Sequence, residues 1–159
     1  MNAVHIRQAT PDDLQTLLEF EQGIIEAERP FDITLKRQHT QYYDLASMLH
    51  AENVFMALAE MDNKPVGCGY ARIEAAKPYL QHRLHAYLGF MYVLPAYRGR
   101  GINGKVIDVL KNWALLQGII ELRLEVYSKN EAAISAYEKA GFSGLLVEMR
   151  MNLEQQENT

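Results

Sequence analysis

Tyr97-Arg98-Gly99-Arg100-Gly101-Ile102-Asn103-Gly104-Lys105 joins an apolar run ending at Val93 to a helical pattern beginning at Ile102. Its three glycines let the backbone approach a ligand closely, and its two arginines and one lysine supply positive charge. The helix that follows directs its free N–H groups at the same spot, so the stretch reads as a cradle for a phosphate.

The flanking patterns set the order of elements. Upstream, Leu84, Tyr87, Leu88, Phe90, Met91 and Val93 predict a long strand that runs into the cradle. Downstream, Ile102, Val106, Leu110, Trp113 and Ala114 recur at helical spacing, which assigns Trp113 to the core, and Gly118 is the natural stop. Residues 121–127 alternate, with Leu122, Leu124 and Val126 on one face and Arg123, Glu125 and Tyr127 on the other, and predict another strand. A short helix over 131–140, a last strand over 145–153 and a polar tail at 154–159 follow.

Before the cradle, Val4 to Gln8 predicts a short strand and Thr10-Pro11-Asp12-Asp13 a helix start, with Leu14, Leu17, Leu18, Ile24 and Ile25 forming the stripe of a helix that ends near Glu28. Pro30 breaks that helix, and a second helical stretch is expected over 35–49. The carboxylates of the polar turn, Glu26 and Glu28 among them, are candidates to receive a cationic substrate or simply a solvated helix end. Residues 53–60 and 66–74, separated by Met61-Asp62-Asn63-Lys64-Pro65, predict an antiparallel hairpin in which Cys68 is a small packing residue.

Composition bounds what the chain does. A length of 159 residues fits one domain, taken as residues 1–153, and the net charge of −4 disfavours nucleic acid as a main partner. One cysteine excludes an internal disulfide and a cysteine-built zinc site, and His82 and His85 lack a third ligand, so no metal is expected. No segment reaches the roughly 20 apolar residues that cross a bilayer, and a cytoplasmic location without membrane partners is expected.

Gly99-Arg100-Gly101-Ile102-Asn103-Gly104 spells G-x-G-x-x-G, the dinucleotide fingerprint. That reading fails on context. An antiparallel hairpin precedes the motif, Leu94-Pro95-Ala96-Tyr97 separates it from the strand, and the remaining chain is too short for two nucleotide-binding halves. A Walker loop lacks its Gly-Lys-Ser/Thr ending.

The segment Val93-Leu94-Pro95-Ala96-Tyr97-Arg98-Gly99-Arg100-Gly101-Ile102 resembles the signature of the GCN5-related N-acetyltransferase family, R/Q-x-x-G-x-G/A after a strand ending in V-x-P. Asn103 stands where that family usually has Gly or Ala. The resemblance continues through Leu124-Glu125-Val126, Asn130 and Ala133-Ile134-Ser135-Ala136-Tyr137-Glu138-Lys139-Ala140-Gly141-Phe142. It implies a mixed α/β fold: a mostly antiparallel central sheet, one splayed parallel strand pair and about four flanking helices.

It further implies that acetyl-CoA binds in the splay. Its pantetheine arm would pair with the backbone of Met91, Tyr92 and Val93, its pyrophosphate would sit on Arg98, Gly99, Arg100, Gly101, Ile102, Asn103 and Gly104, and Asn130 would contact the arm from the facing side. The implied reaction is direct acetyl transfer to the primary amine of a small molecule, an amino acid or a protein N-terminus, with Tyr137 as general acid towards the departing thiolate. Glu125 is a candidate base by resemblance to ribosomal-protein N-terminal acetyltransferases, or an ion-pair partner of Arg123. The resemblance is also compatible with a homodimer. A noncatalytic acyl-CoA sensor on the same fold is the alternative function.

Overall fold

Two residues in the left-handed region, Asp62 (φ 52°) and Asn63 (φ 62°), make the tight turn between strands β2 (Val54–Met61) and β3 (Lys64–Ala75). Positive φ at both central positions matches the right-handed twist of the two strands, and Asn and Asp tolerate it better than most side chains. A computed structural model describes residues 3–155, so most of the expected polar tail at 154–159 lies outside the described residues.

The hairpin is the middle of a five-stranded sheet in the order β1-β2-β3-β4-β5, where β1 is Val4–Gln8, β4 is Leu84–Val93 and β5 is Leu122–Arg123. All neighbours are antiparallel except β4 and β5, which run parallel. That pair is registered only at Ala86 with Leu122 and Tyr87 with Arg123. Past those residues the two strands part, leaving the last six residues of β4 without a strand partner on that side.

Two helices cover the faces. Helix α1 (Leu14–Glu28) lays Leu17, Phe20 and Ile24 on Leu58, Phe90 and Tyr92, and the approach is close enough that a Cβ on Gly23 would sit 2.3 Å from the Tyr92 hydroxyl. Helix α3 (Ile102–Leu116) packs Val106, Leu110 and Ala114 on Ala57, Ala59, Val66 and Ala71 of the other face. Small residues there bring the helix backbone close to the sheet. Trp113 meets Phe55 at 5.8 Å, and Cys68 is fully buried with its Sγ 3.4 Å from the Phe90 carbonyl, both as packing residues. Two shorter helices, α2 (Leu45–Met48) and α4 (Glu131–Lys139), complete the layers.

Three segments depart from the sequence expectation. The expected long second helix shrinks to α2, because side chains satisfy the backbone ahead of it. Asp32 accepts from the Thr34 N–H at 2.9 Å, and the fully buried Glu21 accepts from the N–H groups of Tyr42 (3.0 Å) and Tyr43 (2.9 Å). Those bonds replace the helical ones, and Asp44 then caps α2. The strand expected over 121–127 is registered only at β5, since its neighbour has already diverged. Residues 143–152 carry no regular structure, and Leu146, Val147 and Met149 are 80–89% exposed, so the alternation there is not used to bury a face.

Candidate active site

The end of β4 has a bulge and an edge that β5 does not pair. Phe90 takes φ 56°, uncommon for a bulky residue, and the β3 register shifts between Cys68 and Tyr70 opposite it, which marks a bulge. Beyond the bulge, Met91, Tyr92 and Val93 turn away from β5. Tyr92 is buried, while Met91 and Val93 pack towards α3, so the side chains of this segment go to the core.

The cradle follows directly. Gly99 (φ 79°) and Gly101 (φ 77°) both adopt the left-handed region, and a Cβ built on Gly99, Gly101 or Gly104 meets no atom within 4 Å. These glycines therefore border open space rather than crowded protein. Gly101 is the N-cap of α3 and has no side chain to satisfy the first N–H groups of the helix, which leaves them for an anion. A cavity of about 510 Å³ lies against them.

That cavity is lined by Val93, Arg98, Gly99, Gly101, Ile102, Asn103 and Gly104 of the expected coenzyme residues. Arg98 is held in place by its Nε, which donates to the Val93 carbonyl at 2.9 Å, and by stacking over Tyr92 at 5.7 Å. Asn103 faces the cavity from the second position of α3, so the departure from the family pattern lies on the ligand side. Met91, Tyr92 and Arg100 do not line it; Arg100 lies over Tyr97 at 5.3 Å. Asn130 is the N-cap of α4, its Oδ1 accepting from the Ala133 N–H at 3.3 Å.

The opposite wall was missed in the sequence. Ala132, Ser135, Ala136 and Lys139 of α4 face the cradle across the cavity. Their spacing is i, i+3, i+4, i+7, one helical face, so the signal was present. Lys139 adds a cation to a space already bordered by Arg98 and a helix N-terminus.

The neighbouring half of the site is built from tyrosines and carboxylates. Tyr137 of α4 meets Phe142 edge-on at 5.9 Å, and its pKa is pushed up to about 12, first by burial and then by the negative charge of Glu28. Glu28 closes α1, and its Oε2 accepts from the Tyr42 hydroxyl at 2.9 Å. Burial raises the Glu28 pKa, the Tyr42 bond pulls it back, and Asp32 adds to the rise. Tyr127 donates to Asp32 at 3.0 Å and stacks on Phe31 at 6.2 Å. Glu125 is exposed and its charge acts on Tyr87 and Tyr70, a different part of the tyrosine lining. Arg123 pairs with Glu121 at 3.1 Å, whereas pairing with Arg123 was one of the two alternatives for Glu125.

The family model for the "Acetyltransferase (GNAT) family" matches residues 18–142, which hold most of α1, the cradle and α4. The chain belongs to the GNAT family. Two curated relatives share parts of this GNAT sequence. N-alpha-acetyltransferase 30 of Saccharomyces cerevisiae is 32% identical over 80 residues, 50% of this chain and 44% of the relative. Thialysine N-epsilon-acetyltransferase of Mus musculus is 38% identical over 61 residues, 38% of this chain and 36% of the relative. The chain thus matches less than half the length of either. A Clostridium acetobutylicum protein described as a predicted acetyltransferase and crystallised with acetyl-CoA superposes with a TM-score of 0.73 at 19% identity, over 98% of this chain and 99% of that one. It shares the GNAT fold. Among the described residues no group of histidine, cysteine and carboxylate side chains is placed to hold a metal, and no helix is long and apolar enough to cross a membrane.

Proposed function

We propose that this GNAT chain is an acetyl-CoA-dependent N-acetyltransferase acting on a primary amine, with the whole reaction carried by one domain over residues 1–153. The observation that carries the reading is the cradle, where left-handed glycines border open space at an uncapped helix start. Acetyl-CoA suits it: a pyrophosphate takes the N–H groups of residues 101–104 with Arg98 and Lys139 alongside, and an extended arm takes the unpaired edge of β4. The names of both curated relatives specify acetylation at an amine nitrogen, which supports the same acceptor class.

When bound, acetyl-CoA supplies an activated thioester. The amine nitrogen forms the new C–N bond as the C–S bond breaks, and the thiolate sulfur takes a proton. Tyr137 is the donor in this reading, because its phenol keeps its proton throughout the neutral range. The same burial that raises the phenol pKa also disfavours a bare thiolate beside it, which keeps the two groups matched. The acceptor must shed a proton before attack, and Glu125 or Glu28 is the carboxylate available to take it.

The test is direct. Purified protein mixed with acetyl-CoA and a panel of amines is expected to release free thiol only when an amine is present. Tight coenzyme binding without thiol release on any amine would replace the enzyme with a noncatalytic acyl-CoA-binding module.

A further inference from the structure

We propose that two copies of this chain exchange their C-terminal segments, residues 145–151 of each forming a strand antiparallel to residues 121–127 of the other. The exchange extends both sheets past β5 and does not depend on the acetyltransferase reading.

Part of each copy is otherwise left uncovered. β5 is the last strand in the sheet order and is registered with β4 alone, so its outer edge carries no strand among the described residues. Residues 143–152 have no regular structure, yet Leu145, Val147, Met149 and Met151 alternate along them and are 66–89% exposed. Leu116 and Ile120, in the chain that leads into β5, are each 85% exposed as well. An open strand edge beside exposed apolar side chains marks a surface that another chain covers.

The two segments fit each other in one register. With Leu122 opposite Met149, the apolar pairs continue as Leu124 with Val147 and Val126 with Leu145, and Ile120 reaches Met151. Leu122 and Leu124 already pack against the cluster beneath α3, so the added strand lengthens an existing core. On the other side Glu121 meets Arg150 and Arg123 meets Glu148, four charges of alternating sign. Slipping the register by two residues sets Glu121 against Glu148 in one direction and Arg123 against Arg150 in the other. Slipping it by one turns the apolar residues to the wrong face.

The fitting strand comes from a second copy. A strand returning through α4 in the same chain would run parallel to β5, as a βαβ crossover does, and the structure forms no such strand. A two-fold axis makes both exchanges at once, so the surface is self-complementary and closes at two copies. The added strand also gives residues 124–127 the ladder that β4 stops supplying at Tyr87, just ahead of the Asn130 cap of α4.

Sedimentation velocity of the full chain at micromolar concentration is expected to show a dimer, with a melting midpoint that rises with concentration. The double variant Val147→Asp/Met149→Asp is expected to sediment as a monomer. Both side chains are exposed in a single copy, so the new charges cost that copy no packing. Disulfide trapping reads the register, since the native Cys68 is fully buried and does not compete. Oxidised Glu121→Cys/Arg150→Cys is expected to run as a linked dimer on a non-reducing gel. Glu125→Cys/Arg150→Cys should not link, because four residues out of register separate the thiols by roughly 13 Å, beyond the Cα spacing of about 7 Å that a disulfide tolerates. A monomeric wild type, a dimer that survives Val147→Asp/Met149→Asp, a disulfide closed within one chain, or equal linkage in the two cysteine variants would overturn the proposal.

Discussion

Gly101 and Gly118 offer a matched pair for testing the cradle. They bracket α3, take φ of 77° and 78°, and a Cβ on either meets no atom within 4 Å. Alanine at each position therefore costs the same kind of energy, backbone strain in the left-handed region, at about 1–2 kcal/mol. For a chain of this size that lowers the melting temperature by roughly 2–8 °C in both variants. Only Gly101 borders the cavity. If its neighbours bind a pyrophosphate, the new methyl group occupies ligand space, and loss of one charged hydrogen bond is worth about 1.5–3 kcal/mol. That converts to an acetyl-CoA affinity roughly 10- to 150-fold weaker in Gly101→Ala. Gly118→Ala should bind like wild type, and Gly101→Glu, which sets a carboxylate against the phosphates, should not bind at all while remaining folded. Calorimetric titration beside thermal melts reads both quantities. Equal acetyl-CoA affinity in the two alanine variants would refute the placement of the coenzyme.

Tyr137→Phe should lower turnover by about 100-fold or more, the contribution of a positioned proton donor, while coenzyme affinity is unchanged. Because burial and Glu28 hold the phenol near 12, the wild-type rate should rise with pH as the amine deprotonates and show no descending limb from Tyr137 below that value. Stability responds at the other end of the scale. Asp13 is held below its ordinary range first by the hydrogen bonds from Arg7, at 2.8 Å to each oxygen, against a smaller cost of burial. Its folded pKa lies below the unfolded value of about 3.9, so its contribution is complete above that value and is lost as pH falls through the folded one. Denaturant titrations of Asp13→Asn should show lower stability than wild type at neutral pH and a flatter decline below about pH 4. Parallel curves would remove this pair from the acid response.

The elements legible in the sequence are those whose hydrogen bonds close locally or whose apolar face is long. α1 and α3 show four turns of stripe each, and the hairpin announces itself through Asp62-Asn63. The helix expected over 35–49 shortens to α2 because the backbone ahead of it is claimed by Glu21, 21 and 22 residues upstream of Tyr42 and Tyr43. Nothing local to 35–49 reports that competition. Likewise residues 121–127 and 145–153 alternate as strands do, yet alternation describes faces and not edges. Whether a strand forms depends on a neighbour to bond with, and β4 supplies one only as far as Tyr87.

The same distinction divides the site. Its cofactor half is contiguous, so a single glycine-rich stretch revealed it. The neighbouring group of Glu28 with Tyr42 and of Asp32 with Tyr127 is assembled from segments that no spacing rule connects. α4 is where the two halves meet. Ala132, Ser135, Ala136 and Lys139 face the cradle, and Tyr137, one helical step of about 100° beyond Ala136, turns instead towards Phe142 and Glu28. In the proposed reaction, a coenzyme bound against one face of this helix would also set the rotation of Tyr137 on the next face. None of the residues of α4 is fully buried, so packing alone holds it weakly, and its Asn130 cap and Phe142 anchor set its position. In the proposed reaction the coenzyme and the proton donor would therefore meet on one short helix, since α4 both lines the cavity and carries Tyr137.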